Sequence, residues 1–243
     1  MREKSHKFDV FLPVMDETIS LIRTIRIIEN DCSKHISKYL IVVSKKLTTS
    51  DSKNVIKLLK KKYKKKILVI VQKEKFIGGA LKSAIKNIKS SHFILMASDL
   101  ETNPKDVKKL IKQSIRNPSK IITANRWLLK NSFFGYNIIK LLFNKIFQLF
   151  FSTLFFVKLS DLTFAFRVYP SNLIKKFNLK EMKHPILLET LLIPIKLEVQ
   201  FIEISSKWRS RKEGKSNNTF IKNFLYVYTG FRIFFSQREM LIK

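Results

Sequence analysis

The chain has 243 residues, with 48 Lys and Arg against 18 Asp and Glu, so its formal net charge at pH 7 is +30. A hydrophobic fraction of 45% excludes a disordered basic tail, which is poor in apolar side chains. The single cysteine, Cys32, excludes a disulfide framework and a multi-cysteine metal site. This length suffices for one large domain with a sizeable core.

The positive charge has two interpretations. A polyanionic partner, either nucleic acid or an anionic membrane surface, would attract it. AT-rich coding is the alternative, because 10 of the basic residues are Arg and the other 38 are Lys, while Gly and Pro number only 5 and 6. Lys is spread through every region instead of clustering with stacking aromatic residues, so we expect no nucleic-acid partner.

The first half of the chain alternates short apolar runs with helical patterns. Strands are predicted at residues 7–13, 39–44, 67–71, 93–97 and 120–124, and helices at 17–30, 51–62, 78–89 and from Pro104 onward. Asp51 or Ser52 is expected to cap the second helix. Such a pattern predicts an α/β fold with a mainly parallel central sheet and helices on both faces. A site in such a sheet lies beyond the carboxyl ends of the strands.

In the second half, a long helix is predicted at residues 136–157, followed by a turn-rich segment at 160–169, a helix at 184–196 and a strand at 199–204. A basic loop at residues 206–216 precedes a C-terminal amphipathic helix at about 219–243. The chain has no internal repeat and no linker rich in Pro, Gly or Ser, so residues 1–243 are expected to form a single domain.

The long helix carries one narrow polar stripe at spacings of three or four, made by Asn137, Lys140, Asn144, Gln148 and Ser152. Its other positions are mostly Ile, Leu and Phe, an arc wider than one core-facing stripe. Two apolar neighbours would explain this arc, with the sheet on one side and lipid on the other. Burial inside the protein or in a dimer interface is the alternative. The lysines leave too short an apolar run for a transmembrane span.

Five motifs follow one another along the chain: LPVMDE at 12–17, MASDLE at 96–101 before Pro104, ANR at 124–126, SDLTFAFR at 160–167 and RKEGKS at 211–216. Together they resemble the family 2 glycosyltransferases of GT-A fold, above all the dolichol-phosphate mannosyltransferases and related polyprenyl-phosphate glycosyltransferases. The resemblance implies transfer of a hexose from a nucleotide sugar, of GDP-mannose or UDP-glucose type, to a lipid phosphate acceptor, a polyprenyl or dolichyl phosphate. It implies a nucleotide-sugar-binding half at about 8–125 and an acceptor side at about 126–216.

The resemblance also implies roles for individual residues. The implied ligands of a divalent cation, Mg²⁺ or Mn²⁺, are Asp99 and Glu101, and the cation would act as a Lewis acid on the leaving diphosphate. The implied catalytic residues are Asp99, Arg126, Arg211 and Lys215. The implied contacts to the nucleotide sugar are Pro13, Asp16, Glu17, Lys45, Gly78 and Ser98. The implied acceptor-side residues are Asp161 and Arg167.

Each of these roles has a plainer alternative. Asp99 and Glu101 would also suit a helix-capping cluster before Pro104, and Asp16 would suit the cap of the helix that follows it. Asp161 would suit a turn, and any single basic side chain would suit a solvated surface. No secretory signal is visible, so we expect a cytoplasmic protein that is peripheral at the inner face of an anionic membrane. The oligomeric state is left open.

The sequence departs from the family pattern on the donor side. Ala97 stands where the first metal-motif carboxylate is usual, Phe76 stands where a glycine usually gives room, and residues 44–47 read SKKL in place of D-D-G-S. Loss of an anionic ligand weakens a hard-cation site. Lys45 and Lys46 would replace part of the metal's charge. A second hypothesis follows, in which an inactive glycosyltransferase-like protein serves as a membrane-associated binding or partner subunit.

Overall fold

The computed structural model describes residues 6–211, residue 213 and residues 223–243. The strands of the described residues are β1 (Phe8–Val14), β2 (Ile36–Val43), β3 (Ile67–Val71), β4 (His92–Leu95), β5 (Ile121–Asn125), β6 (Phe133–Phe134), β7 (Arg167–Pro170), β8 (Phe201–Ser205) and β9 (Trp208–Arg209). Seven of them form one sheet in the order β3-β2-β1-β4-β7-β5-β8. Only β7 is antiparallel to its neighbours in this sheet, and β6 pairs with β9 in a separate ribbon.

The helices are α1 (Ile19–Cys32), α2 (Ser50–Tyr63), α3 (Phe76–Lys86), α4 (Val107–Arg116), α5 (Ile138–Leu154), α6 (Ser171–Ile174), α7 (Ile186–Lys196) and α8 (Asn223–Phe235). Short 3-10 turns lie at Lys64–Lys66, Pro104–Asp106 and Arg238–Leu241. The predicted strands, and the predicted helices as far as α7, are confirmed to within a few residues. The C-terminal helix predicted to residue 243 ends at Phe235, and a 3-10 turn follows it. The cap of α2 is a correction: Thr49 accepts the Ser52 N–H, at 3.3 Å, because the helix begins before Asp51.

Apolar side chains cover both faces of the sheet, as the near-continuous apolar strands predict. Side chains of β1 alternate between the two layers, so Val10 and Leu12 join the cluster that contains Leu110 of α4. Phe11 points to the opposite cluster, which contains Leu191 of α7. This double coverage confirms the α/β prediction, and it leaves the strand ends as the place where polar side chains collect.

The C-terminal helix α8 is fixed to the body by charge and by close packing. Arg232 lies 2.7 Å from the buried Glu189 and 3.1 Å from Glu181. A Cβ on Gly230 would lie 2.0 Å from a ring carbon of Phe151, so glycine is required for α8 to approach α5 this closely. Within the described residues, neither α8 nor any other helix combines the length and the apolar character needed to cross a membrane.

Candidate active site

The polar segments that follow the strands meet at one edge of the sheet. The carboxyl ends of β1, β4, β5 and β8 lie there, together with the amino end of β7. Ser98, after β4, donates its hydroxyl to the carbonyl of Pro13 in β1. Ser206, after β8, donates its N–H to the carbonyl of Asn125 at 2.9 Å. These bonds join the segments into one surface.

A carboxylate pair closed by one arginine lies on this surface. Asp99 Oδ2 lies 2.9 Å from a terminal nitrogen of Arg211, and Glu101 Oε1 lies 2.8 Å from its Nε. Asp99 is nearly buried, whereas Glu101 and Arg211 keep about a quarter of their side-chain surface exposed. The structure therefore brings together three of the residues that the sequence singles out, one from the RKEGKS motif and two from MASDLE.

The convergence of the two carboxylates comes from a turn. Side-chain alternation along a strand would also point Asp99 and Glu101 the same way, but β4 ends at Leu95, so alternation does not orient them. Leu100 between them has a left-handed φ of 66°, which costs a non-glycine residue roughly 1–2 kcal/mol. Asp99 Oδ1 accepts the Glu101 N–H at 3.0 Å and holds the turn. Asn103, not the acidic pair, caps the 3-10 turn at Pro104–Asp106.

Arg126 and Asp161 form a second, fully buried ion pair. The Asp161 carboxylate accepts from Nε and a terminal nitrogen of Arg126, each at 2.8 Å, and from the Arg126 backbone N–H at 2.9 Å. It also accepts the Phe164 N–H at 3.2 Å, so the turn interpretation of Asp161 is confirmed. Gln148 of α5 donates to Thr163 in the same cluster. The pair therefore clamps β5, the 160–164 segment and α5 together.

The model of the family described as "Glycosyl transferase family 2" matches residues 9–177. The chain belongs to glycosyltransferase family 2. That assignment makes it a glycosyltransferase, and its mixed sheet is the GT-A arrangement of the family.

Solved structures of glucosyl-3-phosphoglycerate synthase from Mycobacterium tuberculosis share this fold. The complex with UDP has a TM-score of 0.69 at 10% identity, and covers 94% of this chain and 80% of the other. The complex with Mn²⁺, UDP-glucose and phosphoglyceric acid has a TM-score of 0.72, also at 10% identity and with the same coverage of both chains. At this identity the likeness concerns the fold.

Burial and like charge raise the pKa of the glycosyltransferase's Asp99 to about 6, with Glu101 as the main like charge and Arg211 opposing the shift. Burial also raises the pKa of Glu17, whose carboxylate accepts the Met15 N–H at 2.6 Å. The charge of Glu17 acts on both Asp99 and Arg211. Glu17 is thus a third acid of the site, and perturbed carboxylates of this kind are typical of functional clefts.

The remaining donor-side candidates differ in accessibility. Asp16 and Lys45 are exposed at the ends of β1 and β2, open to a ligand at the sheet edge. Gly78 is buried, and its N–H donates to the carbonyl of Met182 at 2.7 Å. A Cβ at Gly78 would lie 2.5 Å from the Met182 backbone, so this glycine serves the packing of α3. Contacts of all three with a nucleotide sugar stay predictions, as do those of Pro13 and Ser98.

Arg126 and Arg167 are both committed to protein partners. Arg167, at the start of β7, is fully buried and donates to the carbonyls of Leu187, at 2.8 Å, and Leu162, at 3.0 Å. It joins β7 to α7 and to the 160–166 segment. The catalytic role of Arg126 and the acceptor-side roles of Asp161 and Arg167 stay predictions, and Lys215 lies outside the described residues.

Glu213 is a residue of the site that the motifs did not single out. Its carboxylate accepts from the N–H groups of Thr18 and Ser20, at 3.0 and 3.2 Å, and from the Ser20 hydroxyl at 2.8 Å. It therefore caps α1, and the alternative that Asp16 caps this helix is wrong. The available signal was an acid inside a basic loop, but no local pattern links residue 213 to residue 18.

Tyr136 is a second residue that sequence reasoning missed. Its ring contacts Trp208 and Phe133 edge-on, with centroids 4.9 and 5.5 Å away. Burial raises the pKa of its phenol, and the charges of Arg126 and Glu101 both act on it. Tyr136 thus lies between the two ion pairs. A tyrosine just before a helix carries no signal of such a position in one sequence.

The carboxylates of the site suit a metal ion that binds together with substrate phosphates. Within the described ranges, no group of three His, Cys, Asp or Glu side chains is arranged to hold a metal ion. Mg²⁺ is commonly held by one or two carboxylates plus substrate phosphates, which is what Asp99 and Glu101 offer. The described residues therefore form no preformed protein cage for a metal at this edge, and Asp99 and Glu101 would supply the protein's share of a site that substrate phosphates complete.

If the Arg126–Asp161 pair clamps these segments together, Arg126→Leu should strongly lower the free energy of unfolding. Removing the guanidinium leaves Asp161 buried without its counter-charge, which costs about 3–5 kcal/mol. Urea denaturation followed by circular dichroism measures the change. Arg126→Leu combined with Asp161→Leu should be less damaging than the single change, because no buried charge is left unpaired.

The matched control is Arg238→Leu, which removes an exposed ion pair with Glu198 and should leave the denaturation midpoint nearly unchanged. An Arg126→Leu midpoint no lower than that of the control would contradict the clamp.

Proposed function

We propose that this glycosyltransferase transfers a hexose from a nucleotide diphosphate sugar to a polyprenyl-type lipid phosphate at the surface of an anionic membrane. The observation that carries the proposal is the outer face of α5. This helix turns Asn144 and Gln148 toward the segment that carries Asp161, and it exposes large apolar side chains on its outer side. A water-soluble acceptor gives no reason for such a surface.

The chemistry proposed for the donor follows from the charges at the sheet edge. An acceptor phosphate oxygen attacks the anomeric carbon, and the bond to the diphosphate breaks with its electron pair leaving on the diphosphate, so the configuration inverts. A Mg²⁺ or Mn²⁺ ion held by Asp99 and Glu101 supplies Lewis-acid stabilisation of that leaving group. Arg211 and Lys45 add charge-assisted contacts to phosphate oxygens. The acceptor is already ionised and needs no strong general base.

The structural neighbours support the donor class and a phosphate-bearing acceptor. Glucosyl-3-phosphoglycerate synthase has been solved with Mn²⁺, UDP-glucose and phosphoglyceric acid, and with Mg²⁺ and UDP. A small phosphorylated acceptor is therefore the second candidate for this chain. The exposed apolar face of α5 favours the lipid phosphate acceptor over the small one.

The middle of the polar stripe of α5, at Asn144 and Gln148, points into the protein, whereas Asn137 and Lys140 at its start are exposed. Gln148 is buried, and its side-chain oxygen accepts the Leu162 N–H at 2.6 Å. Asn144 donates to the Thr163 hydroxyl at 3.0 Å. Asn137 caps the helix by accepting the Lys140 N–H at 3.1 Å. Phe151 of the same helix is buried in the apolar cluster that covers one face of the sheet, and Phe147 and Leu154 pack against that cluster, so only part of the apolar arc faces outward.

The opposite side of α5 is apolar and uncovered in the described structure. Its exposed large side chains include Ile138, Ile139, Leu142, Ile146, Leu149 and Phe150, and Phe156 just beyond the helix is 93% exposed. A shallow groove of about 510 Å³ runs along this side. Neighbouring α8 adds exposed Phe224, Tyr228 and Phe235. Patches of this kind mark interaction surfaces, not ordinary solvated protein.

The positive charge around α5 favours a lipid bilayer as the partner of this surface. No Asp or Glu occurs between Asp106 and Asp161, whereas Lys130, Lys140 and Lys158 are exposed around α5. Apolar side chains buried in the acyl boundary with lysines at headgroup level are typical of interfacial helices on anionic lipid. We propose a peripheral protein on the cytoplasmic side of such a membrane, with α5 and α8 as its contact surface.

Vesicle sedimentation tests the membrane part of the proposal. Leu142→Glu combined with Ile146→Glu should abolish binding to vesicles of phosphatidylglycerol and phosphatidylcholine, because two carboxylates would enter the acyl boundary. The control Leu58→Glu changes an equally exposed leucine on α2 and should bind like the wild type.

Analytical ultracentrifugation of the same variants without lipid tests the alternative that the apolar surface of α5 is a dimer interface. A wild-type dimer that dissociates on substitution, with no wild-type vesicle binding, would contradict the membrane assignment.

A transfer assay tests the reaction. Radiolabelled UDP-glucose and GDP-mannose are each supplied with Mn²⁺ and either polyprenyl phosphate in vesicles or phosphoglyceric acid. We expect label in the lipid fraction and a loss of about 10²-fold or more in Asp99→Asn, since the diphosphate loses charge stabilisation.

Transfer only to phosphoglyceric acid would replace the lipid acceptor with the second candidate. Absence of transfer from either donor by folded protein would favour the inactive-subunit hypothesis.

A further inference from the structure

Arg211 occupies the position that a metal ion would need. Its Nε and one terminal nitrogen contact Glu101 Oε1 and Asp99 Oδ2, at 2.8 and 2.9 Å. The other oxygen of Asp99 accepts the Glu101 N–H. A divalent cation binds carboxylate oxygens at roughly 2.0–2.2 Å. The guanidinium and the cation therefore compete for the same two oxygens, and their like charges oppose joint occupancy.

Arg211 is also anchored from its own segment. Two residues later, the Glu213 carboxylate accepts the Thr18 N–H at the N-terminus of α1. Thr18 itself makes no side-chain capping bond there. A carboxylate at a helix N-terminus is favoured both by the free N–H groups and by the helix dipole. Hydrogen bonds from Thr18 and Ser20 hold the pKa of Glu213 below its usual value, although partial burial opposes this shift. Ionised Glu213 thus holds the segment beside the carboxylate pair.

We propose that Arg211 is an exchangeable internal cation, which a divalent ion displaces from Asp99 and Glu101 only when a nucleoside diphosphate enters with it. The proposal rests on the nucleotide-sugar donor proposed above. It assigns to Arg211 a role in controlling metal entry in addition to contact with phosphate.

Metal and nucleotide enter together because the displaced Arg211 guanidinium needs a new anionic partner. A metal ion arriving alone must break two charge-assisted hydrogen bonds and leave Arg211 without an anionic partner. A diphosphate offers oxygens that match the planar donor fork of arginine, so the broken contacts are replaced. Metal and nucleotide therefore bind with positive coupling, and the coupling is reciprocal.

Mn²⁺ binding to the full chain, measured by electron paramagnetic resonance without nucleotide, tests this exchange. Wild-type protein should bind Mn²⁺ weakly, and addition of UDP should tighten binding strongly. Arg211→Gln should tighten Mn²⁺ binding without nucleotide by about tenfold or more, and should weaken the dependence on UDP. Glu213→Gln should shift Mn²⁺ binding in the same direction by a smaller factor, because it removes the anchor and leaves the guanidinium.

The matched control is Arg209→Gln, which removes one positive charge two residues away. Arg209 contacts the Phe134 ring, with 5.0 Å between the guanidinium carbon and the ring centroid, so Mn²⁺ affinity should stay close to wild type. Equal tightening in Arg209→Gln and Arg211→Gln would overturn the proposal in favour of long-range charge. Unchanged Mn²⁺ affinity in Arg211→Gln would overturn it as well.

These outcomes are distinct from failure of the proposed reaction. The experiment contains Mn²⁺ and UDP but neither sugar donor nor acceptor, so exchange is measurable in a protein that transfers nothing. Conversely, transfer activity with unchanged Mn²⁺ binding in Arg211→Gln would leave the glycosyltransferase proposal intact and remove the exchange. Thermal melting followed by circular dichroism shows that each variant is folded.

Discussion

The buried ion pair of Arg126 and Asp161 is the contact on which the acceptor side of this molecule depends. Two charges removed from water are favourable only when their hydrogen-bonding capacity is met, and Asp161 accepts five such bonds, from Arg126, Phe164 and Gln148. The pair joins the end of β5 to the 160–164 segment. Through Gln148 it also fixes the rotation of α5 about its own axis.

That rotation explains the unusual surface of the protein. Because Asn144 and Gln148 of α5 are used to satisfy buried polar groups, side chains such as Leu142, Ile146 and Leu149 turn outward, while Phe151 stays buried. Close packing at Gly230 and the ion pairs of Arg232 hold α8 beside it, so the two helices present one continuous apolar surface. The same interaction that builds the acceptor side of the site thus exposes the surface that we assign to the membrane.

Much of this architecture was predictable from local patterns, and the rest was not, for physical reasons. Apolar runs such as residues 93–95 are buried in a sheet that is covered on both faces, so the strand positions and the fold class followed from periodicity. The approach of Asp99 and Glu101 depends on a left-handed residue at Leu100, which no propensity favours. Glu213 caps a helix nearly two hundred residues away. Such contacts depend on the folded chain and not on spacing.

We propose that Asp99 and Glu101 form a cation and diphosphate site that Arg211 closes in the free protein. Anomalous diffraction from crystals grown with Mn²⁺ and UDP tests this arrangement. We expect one manganese peak within about 2.0–2.3 Å of oxygens from both carboxylates, with the Arg211 guanidinium moved onto the diphosphate. Bound UDP with Arg211 still paired to Asp99 and Glu101, or manganese elsewhere, would contradict it.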